Sequence, residues 1–311
     1  MKVIVTGASG VLGKATHIAY KAAHYDVTGL AYLRATDHLE RLDLTNFPET
    51  EAFFEITRPD WVIHCAAERR PGTQPHPSFL GPALRTKQAL PQLNVDVCQH
   101  LAELGMKLKF TLIYISTDYV FDGTSPPYLP SSVTNPVNFY GKTKRDGELA
   151  VLGVQGADSV VLRVPVLYGP VSENSESAIN ILLDIVQDQS GKQYKMDHYA
   201  TRYPTNVVDI ANFLVRLTTA NLSLIPPILH YSAPEPYTKF EICLVFSGLL
   251  GMPIDHITPD ADEPTGAAAV SRPRDCQLYT RETEDLMESV GGLGTTGFEE
   301  WWARYLGVNK S

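Results

Sequence analysis

The chain has 311 residues, of which 44% are apolar and 20% are charged. These proportions are typical of a folded globular protein and exclude a largely disordered chain. The 26 Lys and Arg residues are outnumbered by 35 Asp and Glu residues, which gives a net charge of −9. This charge disfavours nucleic acid or an anionic membrane surface as the main partner.

The cysteines and the apolar segments predict where the protein resides. No two of the four cysteines form a Cys-x-x-Cys pair, so we expect reduced thiols and neither a zinc site nor a redox motif. The first predicted strand begins almost at Met1, which leaves no room for a signal peptide. The longest uncharged apolar run, residues 242–254, is too short to cross a bilayer. We therefore expect a cytoplasmic protein.

Strand and helix patterns alternate through the first half of the chain. Short apolar, β-rich runs predict strands at residues 3–5, 27–32, 61–67, 110–116 and 159–167. Apolar residues at helical spacing predict intervening helices at residues 11–23, 47–57, 93–104 and 140–152. This alternation predicts an α/β fold with a parallel, doubly wound sheet.

The pattern becomes looser after residue 169, where we expect a smaller substrate-binding or lid domain. Helices are predicted at 178–186, 206–217 and 239–250, and a strand at 228–232. We expect residues 1–168 to form a nucleotide-binding domain, residues 169–311 mainly the smaller one, and residues 205–231 to return to the first. Residues 71–91 hold five prolines and two glycines and predict a long loop.

The segment TGASGVLG, residues 6–13, connects the first strand to the first helix. In a dinucleotide-binding loop, Gly7 allows the tight turn, Gly10 lets the backbone approach a pyrophosphate, and Gly13 permits close packing of helix on strand. The phosphates would contact free amides at the helix N-terminus. The context of a strand before and a helix after favours a Rossmann dinucleotide site over a purely structural turn.

The end of the second strand indicates which cofactor binds. An acidic residue there would bind the ribose 2′-hydroxyl of NAD, whereas an arginine accommodates the 2′-phosphate of NADP. The sequence has Tyr32, Leu33 and Arg34, with no acidic residue before Asp37, so we predict NADP. The alternative is that Arg34 is an ordinary surface arginine. Asp43 either reaches the adenine or is a turn residue.

A second group of residues carries the elements of proton transfer. Tyr140 and Lys144 lie one helical turn apart, so the lysine can favour the tyrosine phenolate and contact the nicotinamide ribose. Thr117 and Asp118 follow the fourth strand, at the sheet edge where ligands bind. Alone, Tyr-x-x-x-Lys more often marks a surface helix. Together with the glycine loop, these four residues predict a catalytic site.

Substrate contacts are predicted in the second half of the chain. His198 and Arg202 lie where the smaller domain should face the cofactor, and contact either a substrate phosphate or only the core. Arg272 and Arg274 fit a diphosphate clamp, because arginine presents paired donors to phosphate oxygens. Surface salt bridges explain these two arginines nearly as well.

Taken together, these motifs resemble the extended short-chain dehydrogenase/reductase superfamily. The segment STDYVFDG at 116–123 and RPR at 272–274 look like the dTDP-4-dehydrorhamnose reductase branch. HCAAERRP at 64–71, FDGT at 121–124 and MDH at 196–198 are most similar to the regulatory beta subunits of methionine adenosyltransferase. Two segments depart from that family: an insertion at 72–91, and a C-terminus at 297–306 that predicts a charged amphipathic helix capping the domain.

The resemblance implies which residues line an NADP site. By motif, these are Thr6, Gly7, Arg34, Asp43, Leu44, Cys65, Arg69, Tyr140 and Leu167. The same motifs add Ser9, Gly10, Val11, Leu12, Gly13, Tyr32, Leu33, Ala66, Ala67 and Lys144. Cys65 and Arg69 also have structural interpretations, as a buried strand thiol and as a surface arginine paired with Glu68.

The resemblance also implies a function. The first hypothesis is an NADP-binding regulatory subunit that associates with the methionine adenosyltransferase catalytic subunit and modulates S-adenosylmethionine synthesis. The second is an NADPH-dependent reductase or epimerase of a nucleotide-linked 4-keto-sugar such as dTDP-4-dehydrorhamnose, which uses Thr117, Tyr140 and Lys144. An NADP-sensing scaffold with another partner is a third.

Overall fold

The computed structural model describes residues 1–35, 38–68, 92–265 and 273–308. Its largest element is a seven-stranded sheet in which all paired strands are parallel. The strands of the described chain are β1 (Lys2–Thr6), β2 (Asp26–Ala31), β3 (Glu40–Arg41), β4 (Trp61–His64), β5 (Thr111–Thr117), β6 (Ser159–Val164), β7 (Leu167–Tyr168), β8 (Tyr194–Asp197), β9 (Thr205–Asn206), β10 (Ile228–His230) and β11 (Ile257–Asp260).

The strand order in the main sheet is β10-β6-β5-β4-β1-β2-β3. The chain builds outwards from β1 to β3, then crosses to the other side of β1 and builds outwards again from β4. Ligands of such sheets bind outside the carboxyl ends of the strands at the point of reversal, which here lies between β1 and β4. The predicted doubly wound α/β fold is confirmed.

Helices cover both faces of the sheet. They are α1 (Val11–Ala22), α2 (Phe47–Thr57), α3 (Val97–Leu108), α4 (Phe139–Leu152), α5 (Ile181–Gln187), α6 (Val207–Leu217), α7 (Lys239–Leu250), α8 (Arg281–Met287) and α9 (Phe298–Tyr305). Because neighbouring strand residues point to opposite faces, Val3 and Val5 pack in the core with α6, while Ile4 packs with α2 and α3. The Tyr20 hydroxyl of α1 donates to the carbonyl oxygen of Leu214 in α6 at 2.9 Å.

Two predicted strands are shorter than expected. The strand predicted at 159–167 divides into β6 and β7, because Pro165 has no N–H for the ladder and Leu167–Tyr168 pairs with Thr205–Asn206 instead. The strand predicted at 61–67 ends at His64. After it, residues 65–67 cross over the glycine loop, so that the Ala66 amide lies beside Gly7.

The remaining elements form a smaller lobe with its own apolar core. Its short sheets pair β7 with β9 and β11 with β8. The sequence patterns missed β3, β8, β9 and β11. The helix predicted at 178–186 begins at Ile181, and the side chain of Asn180, just before it, is bonded to the backbone of Gly169. The predicted C-terminal helix is α9, and its Trp302 is fully buried in the core of this lobe.

The long loop and insertion predicted at 71–91 lie outside the described residues. Within the described ranges, no helix is long and apolar enough to cross a membrane.

Candidate functional site

The glycine loop between β1 and α1 forms a tightly packed cradle in which two of the glycines leave no room for a side chain. Gly7 has a positive φ of 64°, and a Cβ there would lie 2.7 Å from the Ala66 nitrogen. A Cβ on Gly13 would lie 2.2 Å from the Gly7 carbonyl oxygen, so α1 packs directly on the turn. No side chain caps the N-terminus of α1, and its first turn has no acidic residue. This geometry fits a bound phosphate group, and Ser9, Gly10, Val11 and Leu12 lie at the end of the loop and the start of α1.

Thr6 and His64 connect β1 to β4 beneath this cradle. The Thr6 Oγ1 lies 2.8 Å from His64 Nδ1 and accepts a hydrogen bond from the Ala66 amide at 3.3 Å. Burial, and then the charge of Lys144, lower the pKa of His64 to about 3, so the imidazole is neutral. The Thr6 side chain is therefore bonded to protein groups at the ends of β1 and β4.

Residues 65–67, which follow β4, are uncharged and lie against the glycine loop. Burial raises the pKa of the Cys65 thiol to about 12, so the side chain stays protonated. Ala66 and Ala67 follow, both partly buried. Cys65 therefore packs as a neutral thiol just after β4, beside the glycine loop. Arg69 falls outside the described residues.

Lys144 is the least compensated charge at this edge of the sheet. It is only 2% exposed, and its ammonium lies 4.0 Å from the ring centroid of Tyr114 on β5. Among the described residues no carboxylate approaches it within ion-pair distance. Burial lowers the pKa of Lys144 to about 8, because the cation has exchanged water for an apolar surrounding. Lys144 is therefore a candidate for binding cofactor hydroxyls.

The start of α4 places Tyr140 next to the end of β5. Asn138 caps the helix, accepting from the Gly141 amide at 2.7 Å. A Cβ on Gly141 would lie 2.1 Å from the Tyr119 carbonyl oxygen, so this helix end packs tightly on the turn that follows Thr117. The structure thus brings the elements that carry Thr117, Tyr140 and Lys144 together at one sheet edge.

Thr117 and Asp118 are both buried where β5 ends. The Thr117 hydroxyl donates to Asp118 Oδ1 at 3.0 Å and accepts from the Tyr119 amide at 3.2 Å. Burial raises the pKa of Asp118 to about 7, despite the opposing effects of Thr117 and Arg202. A carboxyl group with this pKa can hold or release a proton near neutral pH.

A buried ion-pair network that the sequence patterns missed lies next to these residues. Arg163 donates to both carboxylate oxygens of Glu148, at 2.9 and 2.8 Å, and Ser116 donates to the same carboxylate. The arginine also contacts the Pro130 carbonyl and His230. A charged residue inside the apolar strand at 159–164 was the available signal. This network fixes α4 to β5 and β6.

The predicted adenine end of the site is more open. Arg34 is half exposed, and its Nη1 lies 3.9 Å from Glu176 of the smaller lobe. Asp43 Oδ1 accepts from both the amide and the hydroxyl of Thr45, the arrangement of a turn residue. Leu44 is buried, and Leu33 is 46% exposed.

The predicted substrate residues are held mainly by protein groups. His198 bonds the Thr238 hydroxyl at 2.9 Å. Arg202 is 4% exposed and donates to the carbonyl oxygens of Thr201 and Pro273. Arg274 is exposed over the Tyr199 ring. Arg272 lies outside the described residues, and Leu167 belongs to β7. In the described part of the chain, no His, Cys, Asp and Glu cluster fits a metal ion.

A family model described as the RmlD substrate binding domain matches residues 1–292. The chain belongs to this family. It is also 41% identical over 288 residues to the methionine adenosyltransferase 2 subunit beta of Xenopus tropicalis, covering 92% of this chain and 82% of that protein. These matches confirm the resemblance seen in the motifs. The range matched by the family model ends before α9, which begins at Phe298.

Two reductases are similar as well. The dTDP-4-keto-6-deoxy-D-glucose reductase of Streptomyces niveus is 30% identical over 295 residues, covering 93% of this chain and 90% of that protein. The solved structure of a dTDP-4-dehydrorhamnose reductase from Bacillus anthracis, in complex with NADP, gives a TM-score of 0.78 at 23% identity and covers 99% of both chains. The solved structure of MoeE5 in complex with UDP-glucose and NAD gives a TM-score of 0.75 at 20% identity and covers 98% of this chain.

Proposed function

We propose that the chain is an NADP-binding regulatory subunit, of the beta type, that modulates S-adenosylmethionine synthesis by methionine adenosyltransferase in the cytoplasm. The observation that carries the proposal is the 41% identity to a beta subunit over 92% of the chain. Identity to the sugar-nucleotide reductase over a similar length is 30%.

The proposed cofactor site runs along the carboxyl edge of the sheet from β2 to β5. The diphosphate would contact the open amides at the start of α1. Arg34 would face the 2′-phosphate, which is the reason to prefer NADP over NAD. Lys144 and Tyr140 would bind the nicotinamide ribose. The neutral Cys65 thiol and the buried His64 add no charge to this surface.

We also propose a division into two domains, with residues 1–168 and 205–231 forming the nucleotide-binding domain and the rest of 169–311 the smaller one. The packing of α6 on α1 supports this division, as does the pairing of β10 with β6 in the main sheet.

Co-elution with the methionine adenosyltransferase catalytic subunit of the same organism tests the partner. At micromolar concentrations with NADP, we expect one peak containing both chains in a fixed ratio. A Lys144→Met variant is the matched control, because it should keep the fold and lose the cofactor. Separate elution of the unmodified chain in the presence of NADP would contradict the proposal.

A reductase of a nucleotide-linked 4-keto-sugar is the second candidate, because Thr117, Asp118, Tyr140 and Lys144 lie on neighbouring elements at one edge of the sheet. NADPH would supply the hydride. Tyr140 would give a proton to the carbonyl oxygen, with Thr117 holding that oxygen. Oxidation of NADPH by dTDP-4-dehydrorhamnose or related keto-sugar nucleotides would favour this candidate, and Tyr140→Phe should abolish such turnover.

A further inference from the structure

The end of β3 places a second arginine at the same sheet edge as the predicted NADP-specificity residue, Arg34. Arg41 pairs in parallel register with Ala31, the last residue of β2. Its guanidinium carbon lies 5.5 Å from the ring centroid of Tyr32. Because both strands run in the same direction, Tyr32, Arg34 and Arg41 meet at the same carboxyl edge of the sheet. The patterns that predicted a role for Arg34 did not single out Arg41.

The two arginines differ in what already holds them. Arg34 lies 3.9 Å from the Glu176 carboxylate, so an anion bound there has to compete with that carboxylate. Arg41 has no carboxylate within ion-pair distance among the described residues, and it is held by an aromatic face, which restrains a guanidinium without neutralising it. Arg41 is therefore the better prepared of the two to bind a phosphate.

We propose that Arg41, positioned by the ring of Tyr32, is a specificity-determining residue that binds the 2′-phosphate of NADP together with Arg34. Guanidinium groups suit this task because their paired N–H donors match phosphate oxygens. Glu176 weakens the share contributed by Arg34, both by occupying it and by repelling the phosphate. The inference rests on the proposed function in one respect, since it requires a nicotinamide nucleotide at the glycine loop.

Titrations of NADPH and NADH against the full chain and its Arg41→Ala variant test this inference. One charge-assisted contact corresponds to a loss of about tenfold or more in affinity, so NADPH affinity should fall by about that factor. NADH affinity should stay within about twofold. Arg281→Ala is the control, because Arg281 is also an exposed arginine but lies on α8, where it pairs with Glu284 and Asp285, and it should change neither affinity.

Two further variants sharpen the assignment. Glu176→Gln should raise NADPH affinity and leave NADH affinity unchanged, because it removes a competing negative charge. Tyr32→Leu should reduce NADPH affinity less than Arg41→Ala does, because the arginine remains but loses its restraint. The fragments 2′,5′-ADP and 5′-AMP should show the same contrast as NADPH and NADH.

Several results would overturn the inference. An unchanged NADPH affinity in Arg41→Ala would show that Arg41 does not bind the phosphate. Equal losses for NADPH and NADH would assign it to the adenine or to the fold. If the unmodified chain bound no nicotinamide nucleotide, the inference and the proposed cofactor site would fail together. Co-elution with the catalytic subunit reports separately on the regulatory function.

Discussion

Two buried cations at the same end of the sheet, Arg163 and Lys144, differ in whether a carboxylate pairs with them. Arg163 has both carboxylate oxygens of Glu148, a carbonyl oxygen and an imidazole around it. Lys144, one helical turn from Glu148 on α4, lies over an aromatic ring, and its pKa is lowered to about 8 by burial. Among the described residues, Arg163 is paired with a carboxylate and Lys144 is not. We infer from this difference that Arg163 stabilises the fold and that Lys144 is placed to bind a ligand.

Breaking the arginine network should have the largest effect on stability. Arg163→Met leaves the Glu148 carboxylate buried without its partner, and we expect the free energy of unfolding to fall by about 3–5 kcal/mol. Urea denaturation measures this loss. The double variant Arg163→Met with Glu148→Leu should recover much of it, since neither charge remains. A single variant as stable as the parent would show that water reaches the network.

Removing the lysine charge should have the opposite effect on stability. The folded-state pKa of Lys144 is below its unfolded value, so the charged form is disfavoured by folding at pH 7. Lys144→Met should therefore raise the free energy of unfolding by on the order of 3 kcal/mol while NADPH binding is lost. Denaturation and cofactor titration of one preparation test both. Destabilisation by this variant would show that Lys144 supports the fold.

Asp118 is a third buried ionisable group near this end of the sheet, and its contribution to the free energy of unfolding depends on pH. Its pKa is raised by burial to about 7, so folding takes up a proton between about pH 4 and pH 7. This group's contribution to stability is then lost as the pH rises through 7. Asp118→Asn should stabilise the protein more at pH 8 than at pH 5, by on the order of 2 kcal/mol. A gain that does not vary with pH would contradict the raised pKa.

Tyr140→Phe should give the smallest change, a loss of one hydroxyl contact. If the chain is a regulatory subunit, NADPH affinity should fall only a fewfold and stability should not change. Calorimetric titration measures the affinity. Complete loss of turnover on a keto-sugar nucleotide in this variant would instead favour the reductase function.

The sequence was informative wherever a local pattern determines the structure. The glycine spacing at 6–13 placed the turn and its close packing, because only glycine fits those positions. The α/β alternation likewise predicted β1, β2, β4, β5 and β6. The pairs β7–β9 and β8–β11 join segments that are distant in the chain, which periodicity does not reveal, and β3 is only two residues long.

Side-chain roles were harder to predict than positions. For Asp43 and Arg202 the sequence left both a ligand contact and a structural role open. In the structure, Asp43 Oδ1 accepts from Thr45 and Arg202 donates to backbone carbonyls. The network of Glu148 and Arg163 was missed, because its members come from α4 and β6 and meet only in the folded chain. Resemblance to a family supplied the function, which no local pattern contains.

The proposed regulatory function is best tested by titrating the methionine adenosyltransferase catalytic subunit with this chain in the presence of NADP. The quantity measured is the rate of S-adenosylmethionine formation. We predict that the rate or the KM for methionine changes and saturates at a fixed ratio of the two chains. The Lys144→Met variant should shift that titration if the cofactor takes part. Kinetics that remain unchanged at a large excess of this chain would contradict the regulatory function.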